Sequence, residues 1–205
     1  MTVIVVANPK GGVGKSTLAT NVAGYLARRG HTVMLGDADR QQSSARWLAL
    51  RPGQARPIVT WDASAGDAFK PPRGTTHVVI DTPAGVHGRV LKELMKRADK
   101  LLIPLQPSIF DIFATQDFLD ELAERRRMAA LDVAVVGMRV DARTLAADHL
   151  QQFLRRVDLP VLVCLRETQN YIHLAAQGLT LFDVLPSQVG RDLEQWRPIC
   201  EWLDG

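Results

Sequence analysis

The residues best suited to chemistry form one run near the start of the chain, Lys10-Gly11-Gly12-Val13-Gly14-Lys15-Ser16-Thr17. The run follows an apolar segment typical of a strand and precedes a helical pattern. Glycines let backbone N–H groups close around phosphate oxygens, a lysine reaches the terminal phosphates, and a hydroxyl can ligate Mg²⁺. The run therefore predicts a phosphate-binding loop with Lys15 at the phosphates and Ser16 at the metal.

Two features of this loop depart from the ordinary Gly-x-x-x-x-Gly-Lys-Ser pattern. Pro9 stands where the first glycine belongs, and Lys10 has no task in the chemistry of a single phosphate site. Proline fixes φ and has no N–H, so we expect that the backbone at this position does not donate to a phosphate.

An acid at the end of a predicted strand is a candidate metal residue. Asp81 ends the apolar run Val78–Ile80 and is followed by Thr82-Pro83-Ala84-Gly85. Such an aspartate can hold Mg²⁺ through water, opposite the hydroxyl of the phosphate loop. Gly85 could supply a pivot or a backbone N–H where a terminal phosphate is sensed.

A second acidic segment, Gly36-Asp37-Ala38-Asp39-Arg40-Gln41-Gln42, follows the second predicted strand. Asp37 and Asp39 point to opposite sides if the strand continues, so we expect them to have different tasks, one of them near metal or water. The alternative for this segment is turn formation and capping of the next helix.

Apolar runs rich in β-formers alternate with helix-length segments along the whole chain, which predicts a mostly parallel central sheet with helices on both faces. We predict strands near 2–7, 32–37, 57–61, 76–81, 99–105, 132–140 and 161–165. Helices are predicted near 15–29, 43–50, 88–97, 110–128, 144–157, 169–177 and 188–203. The stretch from Leu50 to Thr76 should hold a short strand and a helical turn. We expect ligand beyond the carboxyl edge of this sheet.

Length and composition agree with one domain spanning residues 1–205. Charged residues make up 23% of the chain, and the net charge is +3, which permits nucleic-acid binding without demonstrating it. The chain opens directly into the first strand and has no long apolar stretch, so we expect a cytoplasmic protein. Cys164 and Cys200 are expected to be reduced and buried, and the 5 histidines show no metal-ligand spacing.

Three segments, Lys10–Thr17, Asp37–Gln41 and Asp81–Gly85, resemble the ParA/MinD family of deviant Walker ATPases. The resemblance covers essentially the whole chain and is greatest to small ParA-type partition or positioning proteins. Two later segments, 104–108 and 170–183, fit the same pattern. The resemblance implies a SIMIBI-type P-loop NTPase fold and hydrolysis of ATP with Mg²⁺.

The resemblance also implies a role for each motif. Lys10 would be the signature lysine that crosses a dimer interface to phosphates held by the partner, so hydrolysis would be tied to homodimerisation. Asp39 would position the attacking water, and Asp81 would be the Walker B acid. The phosphate loop would bind nucleotide in its own subunit. The implied switch residues are Asp37, Asp39, Thr82, Pro83 and Gly85.

Two departures from the family pattern bear on function. The usual Asp-x-Asp-Pro-Gln has Arg40 at the proline position, so the first switch is either less rigid or offers a guanidinium to a partner or phosphate. The chain also lacks the N-terminal helical extension with which larger relatives recognise operator DNA. We therefore do not expect sequence-specific repression.

The resemblance implies that such a dimer binds either DNA or a membrane. ParA-type relatives bind DNA without sequence preference, which arginine and lysine contacts to phosphates suffice to explain. MinD-type relatives use a basic C-terminal amphipathic helix, whereas the last segment here carries four acids beside its apolar stripe, which favours packing on the sheet. The candidate DNA-binding residues are Arg139, Arg143, Arg155, Arg156, Arg166 and Arg191. The run Arg125–Arg127 is either another patch or the basic end of a helix.

The leading functional prediction is a nucleoid-associated ATPase that closes into a dimer on ATP and binds DNA. An adaptor, ParB-like or of another kind, on a plasmid, chromosome or protein cluster would then stimulate hydrolysis and release. One alternative is a MinD-like regulator that cycles on and off a membrane. The other is a metabolic P-loop ligase that uses ATP, which would have no need of Lys10.

Overall fold

A computed structural model describes residues 1–62, 71–126 and 131–205. The strands are β1 (Thr2–Val6), β2 (Val33–Asp37), β3 (Val59–Asp62), β4 (His77–Asp81), β5 (Lys100–Leu105), β6 (Asp132–Val140) and β7 (Val161–Arg166). The helices are α1 (Lys15–Arg28), α2 (Ser43–Ala49), α3 (Gly88–Met95), α4 (Ile109–Arg126), α5 (Leu145–Leu154), α6 (Asn170–Ala175) and α7 (Pro186–Asp204).

The described strands form one parallel sheet of 7 strands in the order β3-β2-β4-β1-β5-β6-β7. Two clusters of buried apolar side chains cover it. One joins the sheet to α1, α2 and α7, and the other joins it to α3, α4 and α5. The predicted α/β fold with helices on both faces is confirmed, and element bounds differ from the predicted ones by a few residues. The segment 63–70, where the predicted helical turn could fall, lies outside the described residues.

The C-terminal helix α7 packs on the sheet, as its apolar spacing predicts. Trp196 and Ile199 are fully buried and Leu203 nearly so, all within the cluster that includes α1. The Trp196 indole N–H donates to the Tyr171 hydroxyl at 2.8 Å, which satisfies the one polar atom of that side chain. Within the described part of the chain, no helix has the length and apolar character needed to cross a membrane.

His77, the first residue of β4, and His31 form a contact between tilted rings that gives the fold a dependence on pH. The His31 and His77 rings lie 4.1 Å apart between centroids. Burial lowers the pKa of His77 below its ordinary value, as do His31 and the N-terminal ammonium, while Asp204 opposes them. Because the folded-state pKa lies below the unfolded one, the unfolded chain takes up the proton first. Stability is therefore full above about pH 6.5 and is lost as pH falls through the folded-state value.

We expect the melting temperature to fall between about pH 7 and pH 5, and to fall less in His77→Phe, which keeps a ring against His31 but has no titrating nitrogen. Calorimetry of both proteins across this range is the measurement. An identical pH dependence in the two proteins would show that this pair contributes nothing.

Candidate functional site

The carboxyl ends of β1, β2 and β4 bring three sequence motifs together. In the sheet, Val6 at the end of β1 and Asp37 at the end of β2 both pair with Asp81 at the end of β4. Asp81 therefore stands between the glycine-rich loop after β1 and the acidic segment after β2. This places the site at the carboxyl edge, as expected for an open parallel sheet.

The glycine-rich loop adopts a conformation that its glycines make possible. Gly12 and Gly14 have φ of +78° and +94°, a region that residues with a side chain rarely enter. A Cβ at Gly14 would also come within 2.9 Å of the Met138 side chain on β6. The α1 helix begins directly after, at Lys15, so its free N–H groups face the loop. This is the geometry of an anion-binding cradle.

Lys15 points into this cradle. Its ammonium donates to the Lys10 carbonyl at 2.6 Å, and the residue is buried. Burial lowers the pKa of Lys15, while the carboxylates of Asp81 and Asp39 raise it. A lysine drawn from water and flanked by two acids is placed to neutralise added negative charge.

Asp81 is buried at the centre of the site. Its Oδ2 accepts from the Ser44 hydroxyl, and its Oδ1 is a buried oxygen to which no described residue donates a hydrogen bond. The pKa of Asp81 is raised to about 6, mainly by burial and also by the nearby Asp37 charge. The Ser16 and Ser44 hydroxyls and the Lys15 ammonium lower this pKa but do not offset the effect of burial. An unsatisfied buried carboxylate oxygen is costly, so the site has an unused ligand position.

This donor set fits Mg²⁺ held together with a nucleotide. Among the described residues, no group of three or more His, Cys, Asp or Glu side chains could hold a metal ion. Mg²⁺ typically takes one or two protein oxygens and completes its shell with phosphates and water. The Asp81 carboxylate and the Ser16 hydroxyl could supply those protein oxygens.

The two acids after β2 do different work. Asp37 is buried and accepts three backbone N–H groups, those of Asp39 at 2.9 Å, Ser44 at 2.8 Å and Ala45 at 3.1 Å. It thus caps α2 and shapes the loop, the alternative considered for this segment. Asp39 is half-buried, and among the described residues its carboxylate accepts only the Gln41 N–H, at 3.0 Å. Asp39 therefore keeps oxygen lone pairs available beside Lys15.

The segment after β4 is tied to the segment before the phosphate loop. The buried Thr82 hydroxyl donates to the Val6 carbonyl at 2.9 Å. Gly85, at φ +74°, donates its N–H to the Pro9 carbonyl at 2.7 Å. Pro83 lies between them and is half-buried. A shift of this segment would therefore move Pro9 and, through it, Lys10.

The two loop lysines have different surroundings. Whereas the Lys15 ammonium is buried in the loop, the Lys10 ammonium lies 4.0 Å from the Asp111 carboxylate at the start of α4, and 39% of its side chain is exposed. Phe110, the neighbour of Asp111 in the sequence, is 73% exposed, a large apolar ring in water. The start of α4 thus holds the Lys10 ammonium through Asp111 and also exposes an apolar ring.

Sequence reasoning missed several residues that shape this site. Asn8 accepts the Lys10 N–H at 2.8 Å, Gln106 donates to the Gly12 carbonyl at 2.8 Å, and Ser44 links Asp37 to Asp81. Asn8 and Gln106 each follow a strand at the ligand edge of the sheet, which is a detectable signal. Nothing in the sequence indicates the partner of Ser44.

The structure does not gather the six candidate arginines into one cluster. Arg139 and Arg143 lie before α5, while Arg155 and Arg156 follow its other end. Since α5 has 10 residues, about 15 Å of helix separate Arg143, just before its start, from Arg155, just after its end. Arg191 is exposed at the start of α7.

Two of these arginines are already paired. Arg166 contacts the buried Asp192 carboxylate at 2.6 Å, and Arg143 pairs with Asp141 at 2.9 Å. A cation that neutralises a buried acid holds the fold together, so we give Arg166 a structural role. The side chains of Arg125 and Arg126, and all of Arg127, lie outside the described residues.

Comparison with known proteins assigns the chain to a family. The CobQ/CobB/MinD/ParA nucleotide binding domain matches residues 4–181. The chain belongs to this family. It is therefore an ATPase of the ParA/MinD type, whose members use ATP and Mg²⁺, dimerise and work with partner proteins.

Two relatives and two solved structures are similar over most of their lengths. The chain is 30% identical to the maintenance of carboxysome distribution protein A (McdA) of Gloeobacter kilaueensis, over 98% of this chain and 94% of that protein. It is 29% identical to the chromosome-partitioning ATPase Soj of Thermus thermophilus, over 74% and 75%. MinD in the Aquifex aeolicus MinC:MinD complex superposes with a TM-score of 0.77 at 18% identity, over 100% and 96%. An ATP complex of a Cyanothece McdA variant gives 0.72 at 19% identity, over 97% and 96%.

Proposed function

We propose that this ATPase is a ParA-type positioning protein. In this proposal, ATP closes two copies into a sandwich dimer, and the dimer binds nucleoid DNA without sequence preference. An adaptor on the cargo then stimulates hydrolysis and release. Names such as chromosome-partitioning ATPase and maintenance of carboxysome distribution protein support a positioning role, with a plasmid, a chromosome or a protein cluster as the cargo.

The observation that carries the proposal is the placement of two lysines on one phosphate loop. Lys15 is buried and faces the acids of its own site, so it can serve the phosphates bound there. Lys10 lies outside that cradle, is partly exposed, and contacts Asp111 at the end of α4 where Phe110 is exposed. A second copy docked on this face would bring Lys10 to its phosphates and cover the exposed ring. A metabolic ligase that works as a single subunit gives Lys10 no task.

Nucleotide binding falls to the loop and to the acid beside it. Lys15 would neutralise phosphate charge, and Ser16 and Asp81, the latter through water, would hold Mg²⁺. The metal supplies charge neutralisation at the phosphate oxygens. The remaining proposed phosphate-binding residues are Gly11, Gly12, Val13, Gly14 and Thr17.

Hydrolysis needs a water molecule directed at the terminal phosphate. Asp39 is the acid with free lone pairs near Lys15, so we assign it the orientation of that water. Asp37 holds the same loop through backbone N–H groups, and Thr82, Pro83 and Gly85 form the second switch because their contacts reach β1 and Pro9. Positioning and charge neutralisation together supply most of the barrier reduction in phosphoryl transfer.

The DNA-binding part of the proposal predicts retention on DNA that requires ATP and falls with salt. Arg155 and Arg156, both exposed after α5, are the first residues to test. Replacing both with alanine should weaken binding to unrelated sequences equally and reduce the slope of log affinity against log salt by about 2. Binding to labelled duplexes at several salt concentrations, with ATP or ADP, is the measurement.

Arg29→Ala is a control that removes one positive charge from another surface, since Arg29 is partly exposed and pairs with Asp204 near the end of α7. It should leave DNA binding unchanged. Equal retention with ADP and ATP would contradict the switch. If the Arg155 and Arg156 variant binds as tightly as the wild type, the DNA surface lies elsewhere.

Two further points belong to the proposal. The described strands of the sheet run from Thr2 to Arg166 and α7 packs on it, which supports one ATPase domain over residues 1–205.

Trp196 and Ile199, on the apolar stripe of α7, are buried in the core. They are not available to lipid, so the described residues favour DNA over a membrane-cycling role.

A further inference from the structure

The backbone of Lys10 is held on every side. Its N–H donates to the Asn8 side chain at 2.8 Å, and its carbonyl accepts the Lys15 ammonium at 2.6 Å. The preceding carbonyl, of Pro9, accepts the Gly85 N–H at 2.7 Å. The point from which the Lys10 side chain projects is therefore fixed by residues of three different segments.

Asn8 connects this point to α4. Its side chain is fully buried, and its Nδ2 donates to the Pro104 carbonyl at 2.9 Å and to the Thr115 hydroxyl at 3.0 Å. The Pro104 carbonyl can only accept and the Lys10 N–H can only donate, so the orientation of the amide is determined. Asn8 thus joins the end of β1 to the end of β5 and to α4.

Helix α4 also holds the Lys10 side chain. Asp111 lies one helical turn before Thr115, so both face the same side of α4. The Asp111 carboxylate is 14% exposed and 4.0 Å from the Lys10 ammonium. Burial raises the pKa of Asp111 and Lys10 lowers it, which means that the lysine helps to keep this acid charged.

An ammonium held in its own subunit has to leave that site before it can meet phosphates in another. Its departure removes the nearby cation from a largely buried carboxylate, which is unfavourable. The contact with Asp111 therefore opposes dimer formation. The Asn8 hydrogen bond favours it, because it fixes the backbone position from which the Lys10 side chain extends.

We propose that Asn8 and Asp111 are positioning residues for Lys10. Asn8 fixes the backbone from which the lysine projects, and Asp111 holds the ammonium in cis until ATP and a second copy are present. This inference rests on the proposed function, because it assumes that Lys10 acts across a dimer. Helix α4, through Asp111, then determines how readily the Lys10 ammonium leaves its own subunit.

The two residues should have opposite effects on ATP-dependent dimerisation, measured by sedimentation with a slowly hydrolysed ATP analogue. Asp111→Asn should lower the protein concentration at half-dimerisation about two- to fivefold. Asn8→Ala should raise it at least about tenfold, while MgADP affinity stays within about threefold of the wild type. Asp117→Asn, which removes an exposed charge from the same helix, is the control and should change nothing.

A double-mutant cycle separates positioning from a general effect on stability. In the Lys10→Ala background, measured at protein concentrations raised until the dimer is populated, Asp111→Asn should no longer change the concentration at half-dimerisation. If it shifts dimerisation equally with and without Lys10, this inference is wrong even though the proposed function stands. If the wild type does not dimerise with ATP, both this inference and the proposed function are wrong. Should Asn8→Ala fail to fold, as thermal unfolding would show, the Asp111 cycle alone decides.

Discussion

Lys15→Ala is expected to abolish nucleotide binding, whereas Lys10→Ala should bind MgATP nearly as well as the wild type and lose almost all hydrolysis. The Lys15 ammonium is buried in the loop and faces two acids, so its loss removes the buried cation that would offset the phosphate charge. The Lys10 ammonium lies outside that cradle, against Asp111. A cation supplied from a second subunit contributes roughly 1,000-fold or more to phosphoryl transfer, so we expect a loss of about that size.

Titration calorimetry with MgADP and a slowly hydrolysed ATP analogue, combined with steady-state hydrolysis, separates these two effects. Lys92→Ala removes an exposed lysine from α3 and serves as the control for net charge. Equal losses of nucleotide affinity in the Lys10 and Lys15 variants would contradict the division of labour. Hydrolysis by Lys10→Ala at the wild-type rate would do the same.

Asp39→Asn is expected to bind ATP and to dimerise, yet to hydrolyse ATP about 100-fold more slowly. The amide keeps an oxygen for the Gln41 N–H, so the loop should hold its shape, but it is a poor acceptor for a proton of the attacking water. The variant should therefore accumulate as a dimer with ATP and stay on DNA. Single-turnover hydrolysis and DNA retention over time are the measurements.

Asp37→Asn offers a contrast, because Asp37 caps α2 through the N–H groups of Ser44 and Ala45 and also accepts the N–H of Asp39 in the preceding loop. We expect that change to lower the melting temperature, since an amide has only one oxygen for three donors. Asp39→Asn should leave the melting temperature near the wild-type value. A wild-type rate of hydrolysis in the Asp39 variant would show that another group orients the water.

Local patterns in the sequence predicted most of the fold. Strand β4 has three consecutive apolar residues, Val78–Ile80, before it ends in Asp81, and helix α1 starts at Lys15 directly after the glycines, so both could be assigned from the sequence. The apolar stripe of α7 predicted its burial for the same reason. These features depend on neighbours in the sequence, where periodicity is informative.

Contacts between distant segments could not be assigned in the same way. Asn8 and Thr115 are 107 positions apart, and Ser44 and Asp81 are 37 apart. No local pattern indicates which buried hydroxyl meets which acid, since the packing of several elements decides it. The arginines show the same limit: Arg166 resembles a surface cation in the sequence, and only the fold places it on buried Asp192.

Sedimentation velocity of the wild-type chain and Lys10→Ala tests the central claim most directly, namely that one phosphate loop serves two subunits. Each protein is run without nucleotide, with MgADP and with a slowly hydrolysed ATP analogue. We predict a wild-type monomer that becomes a dimer only with the ATP analogue, and a Lys10 variant that stays monomeric in all three conditions at the protein concentration at which the wild type dimerises. Wild-type dimers that respond neither to nucleotide nor to the loss of Lys10 would contradict the account.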